Sequence, residues 1–218
     1  MLRTLDFNGN PYIGVFCRSC EDLTIVPSTL TRGQEMLINE TLGTDIIKTT
    51  IGGTNIVGVL VAMNSMGVVT ADFASEEELL HIKDKSVLRI PDIHNAAGNN
   101  ILVNDRAALV NPDMDKKTIR ALEDVFGVEV TKGTIGKLKT VGTAAVATNK
   151  GLICHPEINE HEIKHLKDLF KLPIYIGTAN YGTPLLGACM IANTKGAVVG
   201  NTTTGIEMNR IEEALDIF

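Results

Sequence analysis

Residues 161–165 read HEIKH and match H-E-x-x-H, the helical arrangement in which two histidines one turn apart bind zinc while the glutamate activates water. A catalytic zinc also needs a third protein ligand and an open position in a cleft. No His or Glu follows closely on a second helix, the next downstream Glu being Glu207, and Lys164 places an unfavourable charge inside the motif. Cys17 and Cys20 form a C-x-x-C that would be half a zinc site or a redox pair, but no second C-x-x-C completes it. The stretch GTIGK (133–137) resembles part of a phosphate loop. Walker A requires four residues between its glycines and a Ser or Thr after the lysine, whereas two residues separate Gly133 from Gly136 and Leu138 follows Lys137. Neither metal nor nucleotide binding is expected from these segments.

Which elements hold these residues is set by an internal repeat. Gly9, Gly53, Gly98, Gly142 and Gly187 are spaced by 44, 45, 44 and 45 residues, and they open similar apolar segments: GNPYIGVF, GTNIVGVL, GNNILVND, GTAAVATN and GACMIANT. Each segment is expected to begin as a short strand. In the third, fourth and fifth repeats the turn residues NDR, TNK and NTK follow, then second strands ALVNPD, LICHPE and AVVGNT. The second repeat joins this pattern with NSMGVVTAD if an extension of five residues is allowed, and the first, with CEDLTIVPS, diverges most. An amphipathic helix comes next, often capped, as by Thr31 before Gln34, Ser75 before Glu78 and Asp115 before Thr118. IRALEDVF (119–126), IKHLKDLF (163–170) and IEEALDIF (211–218) align as one helix. A third strand, as in VEVTKG and PIYIG, closes the unit.

The fifth unit lacks that last strand, while LRTLDF (2–7) is a strand without a unit. If the first strand fills the gap, the array closes and no sheet edge is left open. The expected fold is therefore α/β, a five-fold pseudosymmetric α/β propeller closed by the N-terminal strand. It is expected to be a single domain over 1–218, with repeats at about 9–52, 53–97, 98–141, 142–186 and 187–218 plus 1–8. An open solenoid would leave both chain ends unexplained.

The repeat also gives HEIKH a control. Aligning Ile163 with Ile119 and Ile211 places His161 where Lys117 and Asn209 stand, and His165 where Ala121 and Glu213 stand. Ile163, Leu166, Leu169 and Phe170 form the apolar stripe, so the histidines are expected beside it, toward solvent.

The chain of 218 residues is 44% hydrophobic and 21% charged, enough apolar content to bury a core. Its longest apolar run, IVGVLVAM, is far shorter than the roughly 20 residues of a membrane helix, and the first residues lack a signal-peptide apolar region. A cytoplasmic protein with no membrane association and free thiols is expected. The net charge of −6 opposes long-range attraction to a phosphate backbone, which favours a protein partner or a local basic patch.

The repeat period, together with NDRAALVNPDMD (104–115), NKGLICHPE (149–157) and CMIANTKGAVVGNTTTGIE (189–207), resembles archaeal and eukaryotic translation initiation factor 6 over the whole chain. The resemblance implies a pentein fold, and a factor that binds the large ribosomal subunit on its intersubunit face and prevents premature association with the small subunit. It also implies contacts with a large-subunit ribosomal protein near the sarcin-ricin loop, a possible rRNA contact, a part in large-subunit maturation, and a protein that acts as a monomer without cofactor. Penteins also include guanidine-modifying hydrolases with a Cys nucleophile in a glycine-rich loop near the C-terminus. Here that region, KGAVVGNTTTG (195–205), has no cysteine, and Cys189 stands where Asn100 and Ala144 occur in sister repeats, so no enzymatic activity is expected.

Rotation about the pseudo-fivefold axis would bring the first turns of all repeats to one rim. Asn64, Asn104, Asp105, Arg106, Thr148, Asn149 and Asn193 are the candidate ribosome-binding residues. Asparagine also suits a turn for geometric reasons alone. The NDR triplet is the first choice, because Arg106 adds a guanidinium able to form paired hydrogen bonds.

Overall fold

The computed structural model covers residues 1–218. The chain begins with β1 (Leu2–Leu5) and then repeats one order of elements: a one-turn helix, a short inner strand, a middle strand, a peripheral helix and an outer strand. The first unit is α1 (Ile13–Phe16), β2 (Arg18–Ser19), β3 (Leu23–Pro27), α2 (Arg32–Leu42) and β4 (Asp45–Thr49). The second is α3 (Val57–Leu60), β5 (Val61–Met63), β6 (Gly67–Thr70), α4 (Glu76–Leu79) and β7 (Ser86–Arg89). The third is α5 (Ala97–Asn100), β8 (Ile101–Val103), β9 (Ala107–Val110), α6 (Lys116–Phe126) and β10 (Glu129–Lys132). The fourth is α7 (Val141–Ala144), β11 (Ala145–Ala147), β12 (Leu152–Cys154), α8 (Glu160–Phe170) and β13 (Ile174–Ile176). The fifth is α9 (Leu186–Cys189), β14 (Met190–Ala192), β15 (Ala197–Gly200) and α10 (Gly205–Leu215), with no outer strand of its own.

Five three-stranded sheets result. Inner and middle strands pair antiparallel across a tight turn, and middle and outer strands pair parallel, which requires the helical crossover between them. The fifth sheet is completed by β1, with Leu2 opposite Ala197 and Leu5 opposite Gly200. The N-terminal strand thus supplies the outer strand missing from the last unit. Inner strands contact one another in the order β2, β5, β8, β11, β14 and back to β2, and the one-turn helices follow the same cycle from α1 to α9 and back.

The cycle corrects the apparent repeat register. A Cβ on Gly14, Gly58, Gly98, Gly142 or Gly187 would in each case lie within 3.0 Å of the carbonyl oxygen of the preceding glycine in this series, Gly187 preceding Gly14. Only a residue without a side chain fits where the one-turn helices meet. Gly9 and Gly53, taken from spacing as the first two members, instead occupy exposed turns at φ +82 and +73 with nothing near their Cβ positions. The first two units therefore begin five residues later than their apparent spacing, which also removes the five-residue extension in the second. Around Gly98, Gly142 and Gly187 the chain forms a helical turn before the strand, not the strand expected at the glycine.

The last helix is also displaced. Gly205–Leu215 is helical with Thr204 as its cap, so Leu215 rather than Phe218 corresponds to the fully buried Phe126 and Phe170, and Phe218 is 86% exposed. Each long peripheral helix packs on the sheet of the preceding unit, and α2, α6 and α8 also lie beside their own outer strands, as α6 does on β6, β7 and β10. The core accordingly lies between units: Leu109 of the third joins Leu152, Leu166 and Phe170 of the fourth in one cluster.

Candidate functional site

The turn between inner and middle strands is built the same way in four units. The side-chain oxygen of its first residue accepts from the amides two and three places on: Asn64 from Met66 and Gly67 (3.0 and 3.0 Å), Asn104 from Arg106 and Ala107 (2.9 and 3.1 Å), Asn193 from Lys195 and Gly196 (2.9 and 3.2 Å), and Thr148 Oγ1 from Lys150 and Gly151 (3.1 and 3.2 Å). The short polar side chain thereby mimics a backbone turn. In the first unit Cys20 holds this position.

The asparagine amide groups then reach the next unit. Asn64 Nδ2 donates to the carbonyls of Asn104 (3.3 Å) and Phe126 (2.9 Å), Asn104 to that of Thr148 (2.8 Å), and Asn193 to those of Cys20 (3.2 Å) and Leu42 (2.9 Å). Phe126 and Leu42 end α6 and α2, so these bonds also satisfy helix-terminal carbonyls. The structure brings the predicted turn residues together, but Asn64, Asn104, Thr148 and Asn193 are buried and spent on structure.

One residue further along, the turns are cross-linked again. Asp105 accepts from the Ser65 amide (2.8 Å) and hydroxyl (2.8 Å) and from Asn149 Nδ2 (2.6 Å), while its own amide donates to Asn149 Oδ1 (3.1 Å). Glu21 accepts from the Thr194 amide and hydroxyl. Asp105 and Asn149 are half-buried.

The exposed tips come two places after the turn's first residue: Asp22, Met66, Arg106, Lys150 and Lys195. Lys150 Nζ donates to the Asp216 carbonyl (3.2 Å) and Lys195 Nζ to the Gly43 carbonyl (2.7 Å), each at the C-terminal cap of a peripheral helix, where a cation is favoured. Asp22 is bound by the nearly buried ammonium of Lys85, which also donates to the Ser65 carbonyl (2.8 Å) and so ties the first two turns. Of the predicted residues, Arg106 alone is freely exposed. Met66, Lys150 and Lys195 are also exposed at these tips, because a turn whose first side chain folds inward must present its i+2 residue outward.

Beneath the rim, the inner strands of all five units line a cavity of about 40 Å³. Arg18 is its charged residue, where the sister units carry Ala62, Leu102, Val146 and Ile191. Its Nε donates to the Val61 carbonyl (3.0 Å) and its Nη2 to those of Gly58 (2.7 Å) and Gly98 (2.9 Å), which joins three units near the axis. Burial lowers the Arg18 pKa to about 10, and the guanidinium remains charged at neutral pH. A space this size holds a few waters rather than a metabolite.

The chemical motifs are accounted for by packing. All four cysteines are buried free thiols. Burial pushes Cys20, Cys154 and Cys189 up to about 12 and Cys17 higher still, far from the thiolate a nucleophile needs. His161 is exposed, and His165, half-buried, hydrogen-bonds Thr131 Oγ1 through Nε2 (3.2 Å). Between them Glu162 turns inward as the third residue of a capping box with Asn159. Its carboxylate accepts from the amides of Gly136 (3.0 Å) and Lys137 (3.2 Å) and from Thr134 Oγ1 (2.6 Å). The loop that resembled a phosphate cradle does hold an anion, and the anion is the glutamate of HEIKH. No group of three His, Cys, Asp or Glu side chains is arranged to hold a metal ion, and no helix is long and apolar enough to cross a membrane.

Comparison with known proteins gives this architecture its relatives. The profile of the eIF-6 family matches residues 2–214. This chain belongs to the eIF-6 family. It is 39% identical to translation initiation factor 6 of Picrophilus torridus over 216 residues, covering 99% of this chain and 100% of that protein. It is 43% identical to translation initiation factor 6 of Methanocaldococcus jannaschii over 221 residues, covering 97% of this chain and 96% of the relative. With translation initiation factor 6 of Thermococcus onnurineus the identity is 39% over 222 residues, or 98% and 97% of the two chains. The five linked turns lie within the residues that the eIF-6 family profile matches.

Proposed function

We propose that this protein is a translation initiation factor that binds the large ribosomal subunit and prevents its premature association with the small subunit, with a further role in large-subunit maturation. The observation that carries the reading is the family match across residues 2–214, together with relatives named translation initiation factor 6 over nearly their whole length. The cross-linked rim supports it. Five turns on a rigid scaffold can offer the roughly 800 Å² per partner of a standard interface.

In this reading the chain is a single domain, a closed pentein propeller, that acts in the cytoplasm as a monomer without cofactor, metal or enzymatic activity. Its contacts are with a ribosomal protein near the sarcin-ricin loop and with adjacent rRNA. Arg106, Lys150 and Lys195 supply the local cations that an rRNA contact needs against a net charge of −6. Asn64, Asn104, Thr148 and Asn193 shape the rim from within, and Asp105 and Asn149 set the tip of Arg106. The test is to add the protein to separated subunits and follow joined ribosomes in a density gradient. Joining should fall, and Arg106→Ala or Lys150→Ala should restore it; unchanged joining at saturating protein would sink the proposal.

A further inference from the structure

Arg18 is an interior charge without a counter-charge. From β2 it donates to the carbonyls of Val61, Gly58 and Gly98, which belong to the second and third units. No carboxylate forms an ion pair with it. Its pKa is set by burial, opposed only by Cys17. Carbonyl oxygens carry partial charges, so much of the guanidinium's unit charge stays uncompensated in a low-dielectric interior. The sister residues Ala62, Leu102, Val146 and Ile191 bring no charge of either sign to the cavity.

One nitrogen of the group is left over. Nε and Nη2 make the three bonds to carbonyls, and Nη1 donates to no protein atom. Every side-chain nitrogen or oxygen sealed from solvent has a partner, so Nη1 is not sealed. What Arg18 borders is the axial cavity of about 40 Å³. Apart from Arg18 and Ser19 its wall is apolar, and the Ser19 hydroxyl is given to the Ala192 carbonyl (3.2 Å). A smaller space of about 20 Å³ shares Ser19, Met63, Val103, Ala147 and Ala192 with the cavity and continues it to the rim turns, where Glu21 and Asp105 stand.

We propose that the axial cavity binds one small monovalent anion, of the size of chloride, on the Nη1 edge of Arg18. The donor is a charged N–H group, which bonds an anion more strongly than a neutral donor does. Size follows from the volume: at roughly 10–15 Å³ for each water, the cavity takes about three, or a halide with its remaining water. Charge follows from the rim end. The carboxylates of Glu21 and Asp105 repel an entering anion in proportion to its charge, which disfavours a divalent one. Both are turned to rim donors, Glu21 to Thr194 and Asp105 to Ser65 and Asn149, so neither neutralises Arg18. An anion at Nη1 compensates the charge where the first three units meet. Its effect is on the stability of the ring, and the proposal stands independently of subunit binding.

The probes are bromide and chloride. Crystals of the full chain grown in sodium bromide, with data collected at the bromine absorption edge, should show an anomalous peak within hydrogen-bond reach of Nη1. In solution, chloride should raise the melting temperature by a few degrees, saturably, relative to gluconate at equal ionic strength, since gluconate is too large for the cavity. Arg18→Met should lose this rise, but it also strands three carbonyls. Ala147→Met is therefore the second variant. It fills the cavity with the residue that the second unit carries at the equivalent Met63, leaves Arg18 and its carbonyl bonds in place, and should lose the chloride-dependent rise as a folded protein. The proposal is overturned if the bromide crystals hold only water at Nη1, or show bromide on the outer surface as an adventitious ion only. It is equally overturned if chloride and gluconate stabilise the parent protein alike, or if Ala147→Met keeps the full chloride response.

Discussion

The carboxylate of Glu162 accepts a hydrogen bond from the backbone amide of Gly136 at 3.0 Å, which joins the helix of HEIKH to the loop GTIGK. Two segments that imitate separate catalytic motifs are thus halves of one helix cap. Glu162→Gln replaces one acceptor oxygen with a donor facing backbone N–H groups, and should destabilise the fold by about 1–3 kcal/mol. His161→Ala, at an exposed position, should stay within about 0.5 kcal/mol of the parent protein. Denaturant midpoints of the two variants measure this; the reverse order would mean that the histidine, not the glutamate, is the structural residue.

The same cap recurs, and it makes the fold acid-sensitive in a defined direction. Glu78 accepts from the amides of Gly52 and Gly53 and Glu207 from that of Gly182. For Glu78, partial burial alone would raise the pKa, but hydrogen bonds from Gly53, Ser75, Thr50 and Gly52 outweigh it and hold the group at about 2. Glu162 and Glu207 are lowered for the same reason. A carboxylate with a depressed native pKa contributes its stability above the unfolded value, here 4.5, and loses it as pH falls toward the native one. Stability measured from pH 5 down to about 2 should therefore fall, and Glu78→Gln should be less stable at pH 6 yet show a shallower fall. Parallel pH profiles for the two proteins would contradict this.

The five-residue register shift at the start of the chain can be tested with two glycines. Gly14→Ala would drive a Cβ against the carbonyls of Gly187 and Met190, backbone atoms that cannot swing aside, and should cost about 3 kcal/mol or more. Gly9→Ala meets no neighbour and pays only for its left-handed φ of +82, about 1–2 kcal/mol. Equal effects at the two positions would place the close approach elsewhere.

How much of this was readable from the sequence depends on what fixes each feature. The units, their strand order and the role of Leu2–Leu5 were legible because hydrophobic periodicity and an unmatched terminal strand are local facts. The caps at Thr31, Ser75 and Asp115 were legible for the same reason. The glycine register was not: Gly9 and Gly14 both follow asparagine or isoleucine in plausible turns, and only the approach of Gly187 from the other end of the chain tells them apart. The last helix slipped by one turn because its final Phe218 imitates Phe126 and Phe170, and a three-residue slip nearly preserves a helix face. At the rim, the asparagines marked turns that do come together, but not which side chains those turns expose. Their side chains are consumed by amides and carbonyls of the next unit, partners that no single repeat displays.

That distinction separates fold from contact at adjacent residues. Asn104→Ala leaves the amides of Arg106 and Ala107 and the carbonyl of Thr148 without their partner, in a buried turn, and should cost about 2–3 kcal/mol. Arg106→Ala removes an exposed side chain whose backbone amide keeps its bond, so stability should change by less than about 0.5 kcal/mol. In the subunit-joining assay the order reverses in meaning: Arg106→Ala should lose inhibition as a fully folded protein, whereas Asn104→Ala should lose it only in step with its fraction unfolded and recover when cooled. Thermal melts run on the samples used for the gradients decide between them. If Arg106→Ala inhibits joining as well as the parent, the exposed guanidinium is not a contact, and the basic tips at Lys150 and Lys195 become the residues that must account for binding.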